Sequence, residues 1–198
     1  WGAISPNKVC GNVVRPYRMA IHHTAVPDSD GNLYATMRGM QNYHMNSLGW
    51  CDIGYHFVVA QSGEILQGRS RADRPGAHVG NQNAGNVGIS LIGNYQSRVP
   101  PQKQLERTAE IVSWVHKTYG VPLNRTSVKG HREHSGQSTN CPGNQVISRM
   151  NDILNMAKNG TTPPEPTINY DAELSIKISG LENFYTQGTS ASVPDGLG

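Results

Sequence analysis

Two stretches carry the residue types that do chemistry. Residues 18–24 read RMAIHHT, with His22 and His23 closing a short apolar run. Residues 129–143 read KGHREHSGQSTNCPG, with His131, His134 and Cys141 in a loop rich in Gly, Ser and Asn. A thiolate and imidazoles are preferred zinc ligands, and catalytic zinc keeps three protein ligands with a fourth position open to water. His131 and Cys141, joined by either His22 or His23, make such a His2Cys set. The same residues support a second chemistry, a nucleophilic Cys141 with a histidine base. Composition does not separate the two. If RMAIHH is a strand, alternation sends His22 and His23 to opposite faces, so both cannot serve one site.

The elements that must position these residues are legible from periodicity. RMAIHH (18–23) reads as a first strand. SDGNLYATMRGMQNYHM (29–45) places Leu33, Met37, Met40 and His44 at helical spacing behind an Asp or Ser cap. GYHFVVAQSGEILQGR (54–69) reads as a hairpin turning at Ser62-Gly63. NVGISLIGNY (86–95) is a continuous apolar run of the kind found in a sheet buried on both faces. PPQKQLERTAEIVSWVHKTYG (100–120) is the strongest helix, with Leu105, Ala109, Val112, Val115 and Tyr119 on one face and Gly120 as its stop. NQVISRMNDILNMAK (144–158) reads as a last helix, Val146, Met150, Ile153 and Ala157 sharing a face.

Composition excludes several classes. The formal charge of +3 on 198 residues is small and scattered, without the basic stripe or aromatic platform of a nucleic-acid binder. It supports no more than weak attraction to an acidic polymer such as a bacterial wall. No apolar run reaches the ~18 residues of a membrane span. The chain begins at Trp1 without Met, which reads as a processed form whose signal peptide is gone. Residues 159–167, NGTTPPEPT, form a linker stiffened by Pro163, Pro164 and Pro166. Residues 168–198 are too few to bury a core. They read as the start of a truncated second domain or as a tail, with AELSIKIS (172–179) alternating like one half-buried strand. ENFYTQG (182–188) has the pattern of a viral-protease cleavage site and carries no functional weight.

Five separated motifs, in order, resemble one family. WGA, IHHTA, GWCDIGYHFVV with GEILQGR, GAHVGNQNAGNVGISLIGNY and GHREHSGQSTNCPG resemble the zinc-dependent N-acetylmuramoyl-L-alanine amidases of the type-2 amidase and peptidoglycan recognition protein superfamily. The resemblance covers residues 1–158. It implies an α/β domain with a mixed central sheet flanked by helices and a zinc site at the edge of a substrate groove. The implied reaction is hydrolysis of the amide between N-acetylmuramic acid and L-alanine in peptidoglycan. The implied alternative is a recognition module that binds peptidoglycan without cutting it. The protein expected is a monomer, secreted or held in the periplasm or cell wall, and degrading peptidoglycan.

The family's pattern falls on this chain residue by residue. Its zinc ligands fall on His22, His131 and Cys141, which leaves His23 to packing and His134 outside the set. With Cys141 kept for the metal, Cys10 and Cys51 become the candidate disulfide, as suits an exported protein. The family's tyrosine near the metal falls on Tyr55, a hydrogen-bond donor rather than a free base, since a phenol ionises near ~10. Two positions before the zinc cysteine stands Thr139, as in many recognition-protein amidases, where phage-type members have Lys. Its hydroxyl offers one hydrogen bond to the oxyanion or the attacking water. His78 and Asn86 fall where family members line the peptide groove, and Arg69 offers a cation to a stem carboxylate. Asn81-Gln82 occupies the positions that help distinguish diaminopimelate from lysine at the third stem residue, and matches neither familiar pair.

Overall fold

The computed structural model describes residues 1–26 and 32–160; nearly all of the expected linker, and the strand expected over 172–179, lie outside the described residues. Five strands are present: β1 (Arg18–His23), β2 (Phe57–Val59), β3 (Ile65–Gln67), β4 (Asn86–Leu91) and β5 (Val128–Gly130). They form one mixed sheet in the order β3-β2-β4-β1-β5. The β2-β4-β1-β5 pairings are parallel, and β3 closes the expected hairpin antiparallel to β2. The helices are α1 (Leu33–Asn42), α2 (Gln102–Tyr119), α3 (Asn144–Ser148) and α4 (Met150–Asn159).

Strand alternation divides the sheet into two unlike faces. On one, Met19 and Ile21 of β1, Val87, Ile89 and Leu91 of β4, and Phe57 and Val59 of β2 pack against Leu105, Ala109, Val112 and Val115 of α2 and Met150, Ile153 and Ala157 of α4. Ile21, Ile89 and Ile153 are wholly buried, and each such side chain contributes about 1.5–3 kcal/mol over leaving it in water. The other face carries Ala20 and His22 of β1 beside Gly88 and Ser90 of β4. Toward β2 it becomes apolar again, where Val58 and Leu66 meet Met37 of α1, Ile53 and Ile92. The small residues at its middle leave room for polar side chains.

α2 ends as its sequence demands: Gly120 sits at φ +78° and its N–H returns to His116 O. Two boundaries differ from expectation. The cap of α1 is Asn32, not an Asp or Ser: its Oδ1 accepts from Ala35 N at 2.9 Å. The last helix is two. Arg149 leaves the α region at φ −101°, ψ 2°, Ser148 Oγ donates to Gln145 O at 2.9 Å, and Arg149 N bonds back three residues to Val146 O. A hydroxyl that competes for a helix carbonyl interrupts the helix, a tendency hydrophobic periodicity does not register.

Residues 1–14 lack regular structure and are held by tethers. Trp1 Nε1 donates to Gln67 O at 2.7 Å, and Ile4 exchanges hydrogen bonds with the Gln41 side chain. Cys10 and Cys51 form a disulfide with Cα atoms 5.5 Å apart, closing a separation of 41 residues. Among the described residues no helix is long and apolar enough to cross a membrane. A Cys10→Ser, Cys51→Ser double variant is expected to lose about 3–4 kcal/mol of unfolding free energy from the larger denatured ensemble. A denaturant melt checks this, and an unchanged midpoint refutes it.

Candidate metal centre

His22 leaves β1 on the sheet's polar face, and His131 and Cys141 approach it from the segment after β5. His131 opens a single 3-10 turn over His131–Glu133, and Glu133 Oε2 accepts from Gly130 N at 2.7 Å, which fixes where the strand turns. The donor atoms of His22, His131 and Cys141 all lie within 4.8 Å of one another. Cys141 Sγ stands 3.5 Å from His22 Nδ1 and accepts from His23 N at 3.4 Å. The His23 ring lies on the apolar face, where its Nδ1 accepts from Tyr95 N at 3.1 Å. His134 is buried outside the cluster.

A chain of hydrogen bonds sets the tautomer of His22. Asn86 O can only accept, so His78 Nε2, 3.0 Å away, carries a proton. The neutral ring then offers Nδ1 as an acceptor to His22 Nε2 at 3.1 Å. His22 therefore keeps its proton on Nε2 and turns a bare Nδ1 toward Cys141. Gly88 makes the arrangement possible: a Cβ there would sit 2.6 Å from His78 Cδ2.

Burial keeps all three donor groups of this cluster uncharged in the free protein. Burial, with His78 and His131 nearby, holds His22 well below the usual histidine range, and burial lowers His131 as well. Both rings are neutral near pH 7, as metal ligation requires. Burial pushes the Cys141 thiol up to about 12, against the pull of the His23 N–H. A cysteine nucleophile needs a thiolate stabilised by a neighbouring positive charge. Two imidazoles kept neutral do not supply that charge, and burial outweighs the pull of the Arg132 guanidinium on the thiol, whereas a bound dication would supply it. The residues present fit a divalent metal.

Tyr55 is half-buried, its ring 5.2 Å from that of His22. Burial, then proximity to Cys141, pushes its phenol up to about 12, which makes it a proton-bearing donor. Thr139 Oγ1 accepts from Cys141 N at 3.1 Å and keeps its own O–H to give. The residues expected along the groove are placed differently from one another. Arg69 is buried with its Nε donating to Ile53 O and its guanidinium against Cys51, so it faces the disulfide. Asn86 is buried, its Nδ2 bonded to Gln82 O, and His78 is buried in the chain just described. Gln82 Oε1 accepts from Arg18, leaving Asn81, at φ +60°, as the exposed member of the pair. The structure also brings in two residues without a sequence signal: Ser90, level with His22 in the adjacent strand, and Gln137, whose Oε1 lies 3.2 Å from His131 Nε2.

Fold and donor set define an α/β protein with a metal-type His2Cys cluster on the polar face of a mixed sheet. The chain belongs to the N-acetylmuramoyl-L-alanine amidase family, which it matches over residues 14–144. It is similar to peptidoglycan recognition protein 1 of Bos indicus, at 34% identity over 150 residues, spanning 74% of this chain and 76% of that one. The crystal structure of Drosophila peptidoglycan recognition protein SD superposes with a TM-score of 0.66 at 31% identity, over 74% of this chain and 86% of that one. A tyrosine-to-phenylalanine variant of Drosophila peptidoglycan recognition protein LB, in complex with tracheal cytotoxin, gives 0.65 at 31% identity, over 76% and 88%.

The wall of this site contains another buried histidine, His56. Its Nδ1 accepts from Gly88 N at 2.9 Å and its Nε2 donates to Arg74 O at 2.9 Å. Burial lowers its pKa to about 4. Below the ordinary value of ~6.5 the unfolded chain takes up a proton that the folded chain refuses. Stability is therefore full above that value and falls as the pH drops toward about 4. The loss from this one group is on the order of 3 kcal/mol. Thermal melts from pH 7 to 4.5 should show a falling midpoint, with a shallower fall in His56→Gln; equal slopes for the two proteins refute the assignment.

Proposed function

We propose that this protein is a zinc-dependent amidase that hydrolyses the bond between N-acetylmuramic acid and L-alanine in peptidoglycan. The observation that carries the reading is the cluster of two neutral imidazoles and one thiol, with Tyr55 and Thr139 beside it. His22, His131 and Cys141 would hold the ion. The chemistry such an ion supplies when bound is polarisation of the scissile carbonyl and acidification of water toward a pKa of ~7.

The chain's own residues answer the remaining difficulty, an amide that resists water. The Tyr55 phenol, kept protonated by burial, donates to the carbonyl oxygen as it gains charge. The Thr139 hydroxyl, anchored by Cys141 N, donates to the same oxygen or orients the water. Exposed Asn81 contacts the stem peptide, with Gln82, His78 and Asn86 shaping the groove beneath it; Arg69 supports that wall from behind. The relatives named for recognition of peptidoglycan, and the relative solved with tracheal cytotoxin, support the substrate class. The disulfide supports export to an oxidising compartment such as the periplasm or the outside of the cell.

Elemental analysis of the purified protein, paired with peptidoglycan digestion with and without chelator, tests the reading. About one zinc per chain and chelator-sensitive release of stem peptides is the expected result. Wall binding without release makes the protein a recognition module, and alkylation-sensitive, chelator-indifferent cleavage makes Cys141 a nucleophile. Cys141→Ser is expected to weaken zinc binding by more than the ~10–100-fold typical of losing an outer-shell partner, with the melting transition retained. Tyr55→Phe is expected to lower kcat roughly 100–1,000-fold with little change in KM; steady-state kinetics on a muropeptide would show an unchanged kcat if Tyr55 only packs.

A further inference from the structure

The partner of His131 is held in a way that leaves no ambiguity about its own orientation. Gln137 clasps both polar groups of Gly80: its Oε1 accepts from Gly80 N at 3.2 Å and its Nε2 donates to Gly80 O at 3.0 Å. A backbone N–H only donates and a carbonyl only accepts, so the two ends of the side-chain amide cannot exchange. The atom 3.2 Å from His131 Nε2 is therefore the amide oxygen, an acceptor. His131 must put its proton on Nε2, and its lone pair is left on Nδ1.

Gly80 belongs to the same short loop as His78. That loop is stiff: Asn83 Oδ1 accepts from both His78 N, at 2.8 Å, and Val79 N, at 2.9 Å. Gln82 N closes a turn onto Val79 O at 3.0 Å. A second strap crosses to the His131 segment, where Gln82 Nε2 donates to Ser135 O at 2.5 Å. One loop thus buttresses both imidazoles, His22 through His78 and His131 through Gly80 and Gln137.

We infer that Gln137 is a positioning residue for the metal site: its amide oxygen fixes the Nε2–H tautomer of His131, and its grip on Gly80 locks that ring to the loop that orients His22. The inference rests on the zinc reading for its purpose, but not for its geometry. Outer-shell partners that orient a ligating histidine typically govern metal affinity by ~10–100-fold.

Two variants separate the two jobs of the side chain. Gln137→Leu removes the acceptor and the grip. Gln137→Glu keeps an acceptor for His131 and for Gly80 N, and sets an oxygen against Gly80 O. The first measurement is long-range 1H–15N correlation of the histidine rings in the metal-free protein above pH 7. Wild type and Gln137→Glu should show His131 as the single Nε2–H form, and Gln137→Leu a mixture. The second is zinc affinity by competition with a chromophoric chelator, without any turnover assay. Gln137→Leu should bind zinc at least ~10-fold more weakly, and Gln137→Glu, which keeps the acceptor but loses the bond to Gly80 O, should fall between Gln137→Leu and wild type. A His131 tautomer unchanged in Gln137→Leu overturns the inference, as does equal loss of affinity in both variants. A wild type that shows the Nε2–H form yet takes up no zinc refutes the zinc reading while the assignment of Gln137 stands.

Discussion

A single main-chain carbonyl governs the polar face of this protein. Asn86 O can only accept, and that fixed polarity passes through His78 to His22, which must then present Nδ1 to the cluster. The carbonyl belongs to the first residue of β4, at the middle of the sheet, so its position is set by the ladder and not by a loop. Gly88 and Ser90 follow on the same strand, small enough for the imidazoles to lie against the sheet. The large apolar face does the opposite work. It packs α2 and α4 against the sheet with aliphatic side chains and so anchors the strands whose other side carries the polar arrangement.

That separation explains what could be read in advance. The buried strand β4, the hairpin of β2 and β3, and the long helix α2 follow from apolar spacing, because burial is what spacing records. The choice between His22 and His23 was half legible: alternation shows that only one serves the site, and the family's pattern shows which. The Asn32 cap and the break at Arg149 turn on single side-chain oxygens, which leave no periodic trace. Gln137 was not legible at all. Its meaning comes from Gly80, 57 residues away in sequence, and a lone glutamine in a Ser- and Gly-rich loop reads as solvated filler. Arg69 was legible as a cation, but its burial against the disulfide depends on how residues 1–14 pack.

The same physics separates the two families of chemistry that a cysteine beside histidines allows. A nucleophilic thiolate and a metal-binding thiolate both need compensating positive charge. The difference lies in where the charge comes from. Burial here holds the neighbouring imidazoles neutral and the thiol protonated, so a dication taken up by the cluster would displace one proton.

The disposition of β1 has a consequence for how the cluster opens. His22 and His23 lie on a strand flanked by β4 on one side and β5 on the other, and the amide of His23 itself faces the Cys141 sulfur. On the β4 side His22 and His23 pair with Ser90 and Leu91, but the β5 ladder ends at Ile21, and beside His23 the Cys141 sulfur stands where a strand carbonyl would be. Amide exchange at His23 would therefore report the opening of the Cys141 segment before that of the sheet, because this one proton is given to sulfur and not to a neighbouring strand.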